Sequence, residues 1–244
     1  MVLKKRHDGR KFDQIRPVKA KVGVINNADG SAYFKIGETE AYAAVYGPKT
    51  LYPSFLKNPS TGVLRCHYNM LPFSGMGNRV RPGPNRRSKE ISMVTEKCFK
   101  KVINLEDYPN TVVDVFIELT ETDAGSRCAG ICAASMAIAD AGIIMKDLVV
   151  AVSAGKIGKQ VIIDLDYEEE AYEGEDVSDM PIAILPRTDE VVLLQMDGKI
   201  KKEEIMEGFN MVKKGMAEIH SIQKQALKDK FANGDKKNGK KQRK

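Results

Sequence analysis

The sequence predicts a mixed α/β fold, and three patterns support this prediction. Several short segments alternate apolar and polar residues, as half-buried β-strands do. Two longer segments, 90–103 and 201–228, instead repeat apolar residues at the spacing of a helix face. A third, 126–141, is rich in Ala, Gly, Cys and Ser and suits a helix that packs closely on a sheet. Strands and helices thus alternate along 244 residues, a length that fits one large domain or two small ones.

The first strands form a meander between residues 19 and 48. KAKVGVI, SAYFKIG and TEAYAAVYGP are separated by the turn NNADG and by Gly37. Residues 48–62 contain three prolines and are predicted to form a loop, which leads into the strand VLRCHYNM. The next segment, 73–89, is rich in Gly, Pro, Arg and Asn, and we expect it to be exposed and mobile.

A helix, a strand and a second helix follow this segment. The first helix covers 90–103, the strand TVVDVFIELTE alternates apolar and acidic residues, and the second helix covers 126–141. Four short strands are then predicted at LVVAVSAG, KQVIIDLD, PIAILP and EVVLLQM.

The last helix is predicted for residues 201–228, with an apolar stripe that includes Val212 and Met216. The remaining residues are polar and basic and include glycine. We therefore expect a folded domain of residues 1–228 and a tail, 229–244, without fixed structure.

The net charge of +6 arises at this C-terminal end. Residues 228–244 carry eight Lys or Arg and two Asp, so 8 − 2 = +6, and the body is roughly neutral. Within the body, residues 79–101 hold eight basic and two acidic side chains, whereas 164–179 hold nine acidic and no basic ones. Such blocks are usually solvated surface, but their separation also permits an anion-binding region beside a cation-binding region.

The four cysteines are few for this length, and Cys128 and Cys132 lie one helical turn apart. We interpret this pair as small core residues rather than a metal or redox site, because no second Cys or His pair completes a zinc set. The first residues lack an apolar stretch, and the longest apolar-rich run is interrupted by Asp140. We therefore expect a soluble, unprocessed protein of the cytoplasm that has no membrane partner.

The segment TDAGSRCAG points to an anion site. The first backbone N–H groups of a helix have no partner within the helix, and its dipole adds positive potential there. Gly125 lets the backbone approach a ligand, Ser126 offers a hydroxyl, and Arg127 offers a planar set of donors. We predict that this turn binds a phosphate or a carboxylate.

Two further patterns complement this turn. Arg86 and Arg87 follow a Pro/Gly-rich loop and precede a predicted helix, where adjacent arginines suit successive phosphates of a nucleic-acid strand. Asp179 comes directly before the strand MPIAILP, whose rigid backbone can fix a carboxylate. A carboxylate fixed beside a phosphate site can hold Mg²⁺ or protonate a leaving oxygen.

Each pattern also has a purely structural explanation. Thr122 or Asp123 can cap the second helix while Arg127 pairs with Glu121. The paired arginines can be a solvated charge run at a helix start, and an acidic loop often contributes only solubility. These alternatives stay open on the individual patterns.

In combination, PNRRSKEIS, TDAGSRCAGICAASMAIADAG, LLQMDG and the closing helix resemble the RNase PH family, most closely its catalytic members in archaeal exosomes. GRKFDQIRPVKAKVGVI is also typical of the start of this family. The resemblance covers about residues 9–227. It implies an RNase PH-like fold of two β-α halves packed together, similar to domain 2 of ribosomal protein S5, that assembles into six-membered rings.

The resemblance implies 3′-to-5′ phosphorolysis, in which inorganic phosphate attacks the terminal phosphodiester of RNA and releases a nucleoside diphosphate. Residues 125–127 match the family's phosphate-binding positions, and Arg86 and Arg87 match its paired RNA-binding arginines. Asp179 matches the aspartate that serves as general acid or Mg²⁺ ligand. The implied partners are RNA, a related inactive RNase PH-like subunit in the ring, and a cap of RNA-binding proteins.

Two features depart from the family pattern. The acidic turn EEEAYEGEDVSDM is longer than usual, so the second metal ligand is left open among Glu170, Glu173 and Asp176. Ser54 stands where related archaeal subunits tend to have a basic residue near the constriction through which RNA enters, and Lys57 is a candidate to replace it.

Three other functions compete with a catalytic exosome subunit. They are a non-catalytic RNA-binding ring subunit, a stand-alone RNase PH that acts on tRNA 3′ ends, and a small-molecule phosphate-binding protein. Non-catalytic paralogues typically lose the arginine or the carboxylate of the phosphate site, whereas this chain keeps Arg127 and Asp179. A site for one small anion would not need paired arginines on a separate segment. Catalysis is therefore the favoured hypothesis.

Overall fold

The first half of the chain forms a five-stranded mixed sheet. The computed structural model describes residues 5–76, 78 and 80–241. In chain order, the strands of this sheet are β1 (Val18–Val22), β2 (Gly30–Ile36), β3 (Thr39–Thr50), β4 (Val63–Met70) and β5 (Thr111–Glu121). They lie in the order β1-β2-β3-β5-β4, with β4 parallel to β5 and the other neighbours antiparallel. The predicted meander is thereby confirmed as β1 to β3.

The second half forms a four-stranded antiparallel sheet in the order β7-β6-β8-β9. Its strands are β6 (Val150–Ile157), β7 (Gln160–Ile163), β8 (Val177–Leu185) and β9 (Glu190–Leu194). The helices of the molecule are α1 (Arg86–Lys100), α2 (Ser126–Asp140), α3 (Tyr167–Glu170) and α4 (Lys202–Lys241). Short 3₁₀ turns cover Ser54–Leu56 and Leu105–Asp107.

Helix α2 joins the two halves. It packs on β2, β3 and β5 of the first sheet and on β6 and β8 of the second, so nearly all of its residues are buried. A helix that is buried on all sides must be apolar all round, which explains its Ala-rich composition. A Cβ atom added at Gly130 would lie 3.0 Å from Ile117 Cγ2 of β5, so small residues allow this close approach. The predicted architecture of two β-α halves packed together is confirmed.

Helix α1 begins earlier than predicted, at Arg86 rather than at residue 90. Asn85 caps it: the Asn85 side chain accepts a hydrogen bond from Ser88 N at 2.8 Å, and Ser88 Oγ accepts one from Asn85 N at 2.9 Å. The paired arginines therefore lie in the first turn of a helix. We had expected them in the flexible segment that precedes it. Gly77 and Arg79 lie outside the described residues, and the mobility of segment 73–89 stays a prediction.

Strand β8 also begins earlier than predicted, at Val177. Asp179 therefore lies inside the strand and not directly before it, and it is paired with Gly155 of β6. Pairing within the sheet fixes the backbone of Asp179 more firmly than a position at the end of a loop would.

Helix α4 does not end at residue 228 but continues to Lys241. Its predicted apolar stripe is buried, and beyond the predicted end Lys230 Nζ lies 2.5 Å from Asp140 Oδ1 of α2. The segment that was expected to lack fixed structure is thus helical to Lys241, and residues 242–244 lie outside the described part of the chain. The division into a domain of residues 1–228 and a tail stays a prediction.

None of the helices in the described ranges has the length and apolar character needed to cross a membrane.

Candidate active site

A cavity of about 250 Å³ opens where the start of α2 meets β8 and the segment after β9. A water molecule occupies roughly 30 Å³ of liquid, so an orthophosphate ion fits inside the cavity. Its lining includes Arg87 of α1, Gly125, Ser126 and Arg127 at the start of α2, Glu170 of α3 and Asp179 of β8. The structure thus brings most of the predicted site residues together, from both halves of the chain.

The start of α2 presents uncapped backbone amides to this cavity. Ala124 and Gly125 both have positive φ angles, 53° and 62°, and within the described residues no side chain caps the helix at Gly125. The alternative that Thr122 or Asp123 caps α2 is therefore wrong. Instead, the amides of the first turn and the positive end of the helix dipole face the cavity, which is an arrangement that binds anions.

Arg127 extends across the cavity rather than toward the surface. Its Nη1 donates a hydrogen bond to Gln195 Oε1, and Gln195 Nε2 donates one to Glu90 Oε1 at 3.0 Å. The alternative pairing of Arg127 with Glu121 is not formed. Gln195 was missed by the sequence analysis, although it lies in the LLQMDG segment that contributed to the family resemblance. It holds the guanidinium group in the cavity without neutralising its charge.

Asp179 lines the same cavity, and two backbone hydrogen bonds with Asp197 hold it in place. Asp179 N donates to Asp197 O at 3.0 Å, and Asp197 N donates to Asp179 O at 2.8 Å. Burial is the main influence that raises the pKa of the Asp179 carboxyl, and the Glu170 and Asp197 carboxylates raise it further. Arg127 and a hydrogen bond with Ser153 lower the pKa, which results in a value of about 7. At neutral pH, Asp179 therefore exchanges readily between a proton donor and a carboxylate.

Four acidic residues line the cavity: Asp179, Glu170 and Asp197, whose charges interact, and Glu90, which accepts the hydrogen bond from Gln195. Glu173, one of the candidates for the second metal ligand, is exposed and does not line the cavity, and neither does Asp176. Of the three acids left open in the acidic turn, Glu170 is the one that the structure places near Asp179. Carboxylate oxygens are the hard ligands that Mg²⁺ prefers, so the donor set fits this ion.

The two paired arginines have different positions. Both are exposed, but Arg87 lines the cavity and Arg86 does not. Adjacent residues on a helix point about 100° apart, so the two side chains leave α1 in different directions. Of these two arginines, only Arg87 is placed for direct contact with a ligand in the cavity.

The acidic block 164–179 is not all solvated surface, as its composition suggested. Asp164, Asp166 and Glu169 are buried and pair with arginines near the N-terminus. For example, Arg6 Nε and Nη2 donate to the two carboxylate oxygens of Glu169 at 2.7 and 2.5 Å. These contacts join residues that lie 148 to 163 positions apart, and sequence patterns carry no sign of them.

All four cysteines are free and buried, which confirms the interpretation of Cys128 and Cys132 as core residues. Cys128 lines the cavity, where burial keeps the pKa of its thiol well above the ordinary value. Such a thiol is a poor nucleophile.

Comparison with known proteins gives a consistent result for both halves of the chain. The model of the 3′ exoribonuclease family, domain 1 (RNase PH), matches residues 14–144, and the model of domain 2 of the same family matches residues 147–215. The boundary between the two matches falls between α2 and β6, where the first half of the fold gives way to the second.

Relatives with this sequence pattern include the exosome complex component Rrp41 of Pyrococcus furiosus, which is 49% identical over 227 residues and covers 93% of this chain and 89% of the relative. Among solved structures, rice (Oryza sativa) Rrp46 has a TM-score of 0.78 at 24% identity and covers 91% of this chain and all of its own. The Archaeoglobus fulgidus exosome with RNA bound to the active site has a TM-score of 0.73 at 23% identity and covers 93% of each chain. At such identities the two structures support the fold alone.

Proposed function

Because this chain belongs to the 3′ exoribonuclease family that includes RNase PH, we propose that it degrades RNA from the 3′ end by phosphorolysis. The choice of phosphate as co-substrate rests on one observation. The uncapped start of α2, the Arg127 guanidinium and a carboxyl group with a pKa of about 7 all face the same cavity. The amides and the guanidinium can bind an anion, and the carboxyl group can donate a proton.

The reaction brings two anions together that repel each other. An oxygen of inorganic phosphate forms a bond to the phosphorus of the terminal phosphodiester, and the bond from that phosphorus to the 3′ oxygen of the preceding nucleotide breaks. The products are a nucleoside diphosphate and an RNA shortened by one nucleotide. The amides at 125–127 and the Arg127 guanidinium offset the repulsion by binding the attacking phosphate, which also aligns it with the phosphodiester.

Asp179 supplies the proton that the leaving 3′ oxygen needs. A general acid is most effective when its pKa lies near the working pH, and the pKa of about 7 meets this condition. After the transfer, the carboxylate is stabilised by Arg127 and by its hydrogen bond with Ser153.

The carboxylates of Glu170 and Asp197, together with Asp179 when it is ionised, would hold a Mg²⁺ ion, which would relieve their mutual repulsion. When bound, Mg²⁺ neutralises negative charge that develops on the transferred phosphoryl group.

Arg87 is positioned to bind the phosphodiester next to the scissile one, because it lines the cavity from the side of α1. Arg86 is exposed and one step further round the helix, where it can bind a phosphate further along the strand. Each such contact adds affinity that falls as the salt concentration rises.

We further propose that the chain is a catalytic subunit of an exosome-type ring in the cytoplasm. Its relatives are named as exosome complex components, which supports assembly into such a complex. The ring partner that we propose is a related inactive subunit, and the ring would carry a cap of RNA-binding proteins. The alternatives are a non-catalytic ring subunit and a stand-alone RNase PH. The presence of both Arg127 and Asp179 in the cavity favours catalysis over a purely structural role.

Incubation with an oligoribonucleotide tests the proposal. The chain is assayed alone and with a related RNase PH-like ring subunit, with and without phosphate and Mg²⁺. Shortening that requires phosphate and releases nucleoside diphosphates supports phosphorolysis, whereas shortening without phosphate, with release of monophosphates, contradicts it. If Asp179→Asn in this chain leaves the rate of the assembled ring unchanged, the chain is a non-catalytic subunit.

A further inference from the structure

Arg16 is a buried arginine that lies outside the cavity and contacts both halves of the chain. Its Nε and Nη2 donate to the two carboxylate oxygens of Asp164 at 3.0 and 2.7 Å, and its backbone N donates to the same carboxylate at 2.7 Å. Burial alone would lower the pKa of Arg16, but the Asp164 and Asp123 carboxylates outweigh this effect and raise it. Arg16 is therefore a permanent cation within a network of fixed geometry.

The remaining nitrogen of Arg16 reaches the turn that precedes α2. Arg16 Nη1 donates to the carbonyl oxygen of Asp123 and lies 3.2 Å from Asp123 Oδ2. In addition, a Cβ atom on Gly125 would lie 3.2 Å from Arg16 Nη2, so the guanidinium packs directly against the turn. One side chain thus connects Asp164, at the end of β7, with the phosphate-binding turn.

Asp123 extends this connection to α3. Its Oδ1 accepts a hydrogen bond from Tyr167 N, the first residue of α3, at 2.9 Å. Helix α3 ends at Glu170, which lines the cavity beside Asp179. The Asp123 carboxylate therefore holds the start of the element that carries this acid.

The turn itself needs such support. Ala124 has a φ of 53°, a left-handed conformation that is unfavourable for a residue with a side chain. Thr39 also holds the turn, since its Oγ1 donates to Ala124 O at 2.7 Å and accepts from Asp123 N at 2.8 Å. A strained backbone conformation persists only where the surrounding contacts determine it.

We propose that Arg16 and Asp123 are positioning residues that fix the phosphate-binding turn 124–127 relative to α3, and thereby set the affinity of the site for phosphate. This inference rests on the proposed phosphorolytic function. Neither residue lines the cavity, so neither contacts the reacting groups.

The test compares Arg16→Lys and Asp123→Asn with Arg10→Lys as the matched control. Arg10 belongs to the same N-terminal segment and binds Asp164 O at 2.9 Å and Asp166 Oδ2 at 3.2 Å, but it does not contact Asp123. Lysine at position 16 keeps the charge and loses the ability to bind Asp164 and Asp123 together. Asp123→Asn removes one charge from the turn and leaves the contacts between Arg16 and Asp164 in place, so it remains informative if Arg16→Lys fails to fold.

Two measurements are made on the protein assembled with its ring partner. The first is the KM for phosphate at saturating RNA, together with the KM for RNA. We expect Arg16→Lys and Asp123→Asn to raise the KM for phosphate about tenfold while the KM for RNA changes less than about twofold, because small displacements of positioned groups have large kinetic effects. The second measurement is hydrogen exchange of the amides in 124–128, which should become faster in these two variants and not in Arg10→Lys.

The proposal is overturned if the KM for phosphate in Asp123→Asn stays within about twofold of the wild-type value, or if Arg10→Lys raises it equally. If the wild-type protein releases no nucleoside diphosphates, the proposed function fails, and hydrogen exchange alone then decides the positioning role. Unchanged exchange at 124–128 in both variants would refute it.

Discussion

Arg127 combines a charge with a fixed direction, because Gln195 accepts a hydrogen bond from it across the cavity. We predict that Arg127→Ala lowers kcat/KM for phosphate by about 10- to 100-fold, since one hydrogen bond to a charged partner contributes roughly 1.5–3 kcal/mol. The measurement is initial rate against phosphate concentration. Arg187→Ala serves as the control, because Arg187 is exposed and does not line the cavity. An equal loss in both variants would indicate a general effect of charge.

The raised pKa of Asp179 leads to a prediction about how the stability of the protein depends on pH. Its pKa of about 7 in the folded protein lies above the ordinary value of 3.8, so ionisation of Asp179 destabilises the fold as the pH rises through this range. Asp179→Asn removes this penalty. In the absence of Mg²⁺ and phosphate, we expect Asp179→Asn to raise the unfolding free energy relative to the wild type. This increase should be about 1–3 kcal/mol larger near pH 8 than near pH 5.

Urea denaturation at the two pH values measures this difference. Asp176→Asn is the matched control, because Asp176 belongs to the same acidic turn but is exposed. A gain that does not depend on pH would mean that the Asp179 carboxyl titrates like an ordinary aspartate, and its role as general acid near neutral pH would be lost.

The roles of individual residues were predictable where one short segment contains the whole pattern. Gly125, Ser126 and Arg127 follow one another in the chain, and the helix start that they form is a local property. Gln195 and Asp197 were missed because they reach the cavity only through the pairing of the segment after β9 with β8. The choice of Glu170 over Glu173 depends on α3, which the sequence analysis treated as part of an irregular acidic turn.

Helix α1 separates two arginines that are neighbours in sequence. Because Arg87 lines the cavity and Arg86 does not, we predict that Arg87→Ala reduces the rate on a short oligoribonucleotide more than Arg86→Ala does. The expected ratio is about tenfold, which corresponds to one charge-assisted contact near the reacting phosphate. Rates at two salt concentrations check the interpretation, since both variants should show a weaker salt dependence of RNA binding. Equal rate losses would show that both arginines act at the same distance from the scissile bond.

Errors in the predicted elements have local physical causes. Helix α1 starts four residues early because Asn85 and Ser88 form reciprocal hydrogen bonds, a pattern that is present in the sequence as Asn-x-x-Ser but has no apolar residue to reveal it. Strand β8 starts early because its first residues pair with the end of β6. By contrast, strong periodicity predicted β5 and the stripe of α4 correctly, since alternation and helical spacing reflect burial on one face.

Over the whole molecule, the part of α4 just before the predicted end of the domain packs on both halves. Gln223 is fully buried, and its Nε2 donates to Cys132 O at 3.3 Å and Val149 O at 3.2 Å. Phe231, by contrast, is exposed. We predict that deletion of residues 231–244 leaves the rate on short RNA within about twofold of the wild-type rate, because the deletion begins after Ala226, the last residue of α4 that the structure describes as buried.

Deletion of residues 223–244 provides the comparison for that prediction. It removes the contacts of Gln223 and Ala226 with the core, so we expect a loss of unfolding free energy of about 2 kcal/mol or more. Thermal unfolding and rate are measured for both truncated proteins. A large loss of rate on deletion of residues 231–244 would show that the basic end of α4 takes part in RNA binding.

The arrangement of the N-terminal arginines is the part of the fold that no sequence pattern reveals. Arg6 and Arg16 meet carboxylates of the second half, across separations of 163 and 148 residues. Composition showed an acidic block. Only the folded chain shows that arginines pair with part of this block, whereas Glu170 and Asp179 line the cavity.

The transfer of label from radiolabelled inorganic phosphate tests the central claim most directly. The ring-assembled protein is incubated with an unlabelled oligoribonucleotide and labelled phosphate, and the nucleotide products are separated. If phosphate bound at 125–127 attacks the terminal phosphodiester, the label appears in nucleoside diphosphates, and Arg127→Ala greatly slows its appearance. If RNA is shortened while all of the label stays in inorganic phosphate, the attacking group is water and the account is contradicted.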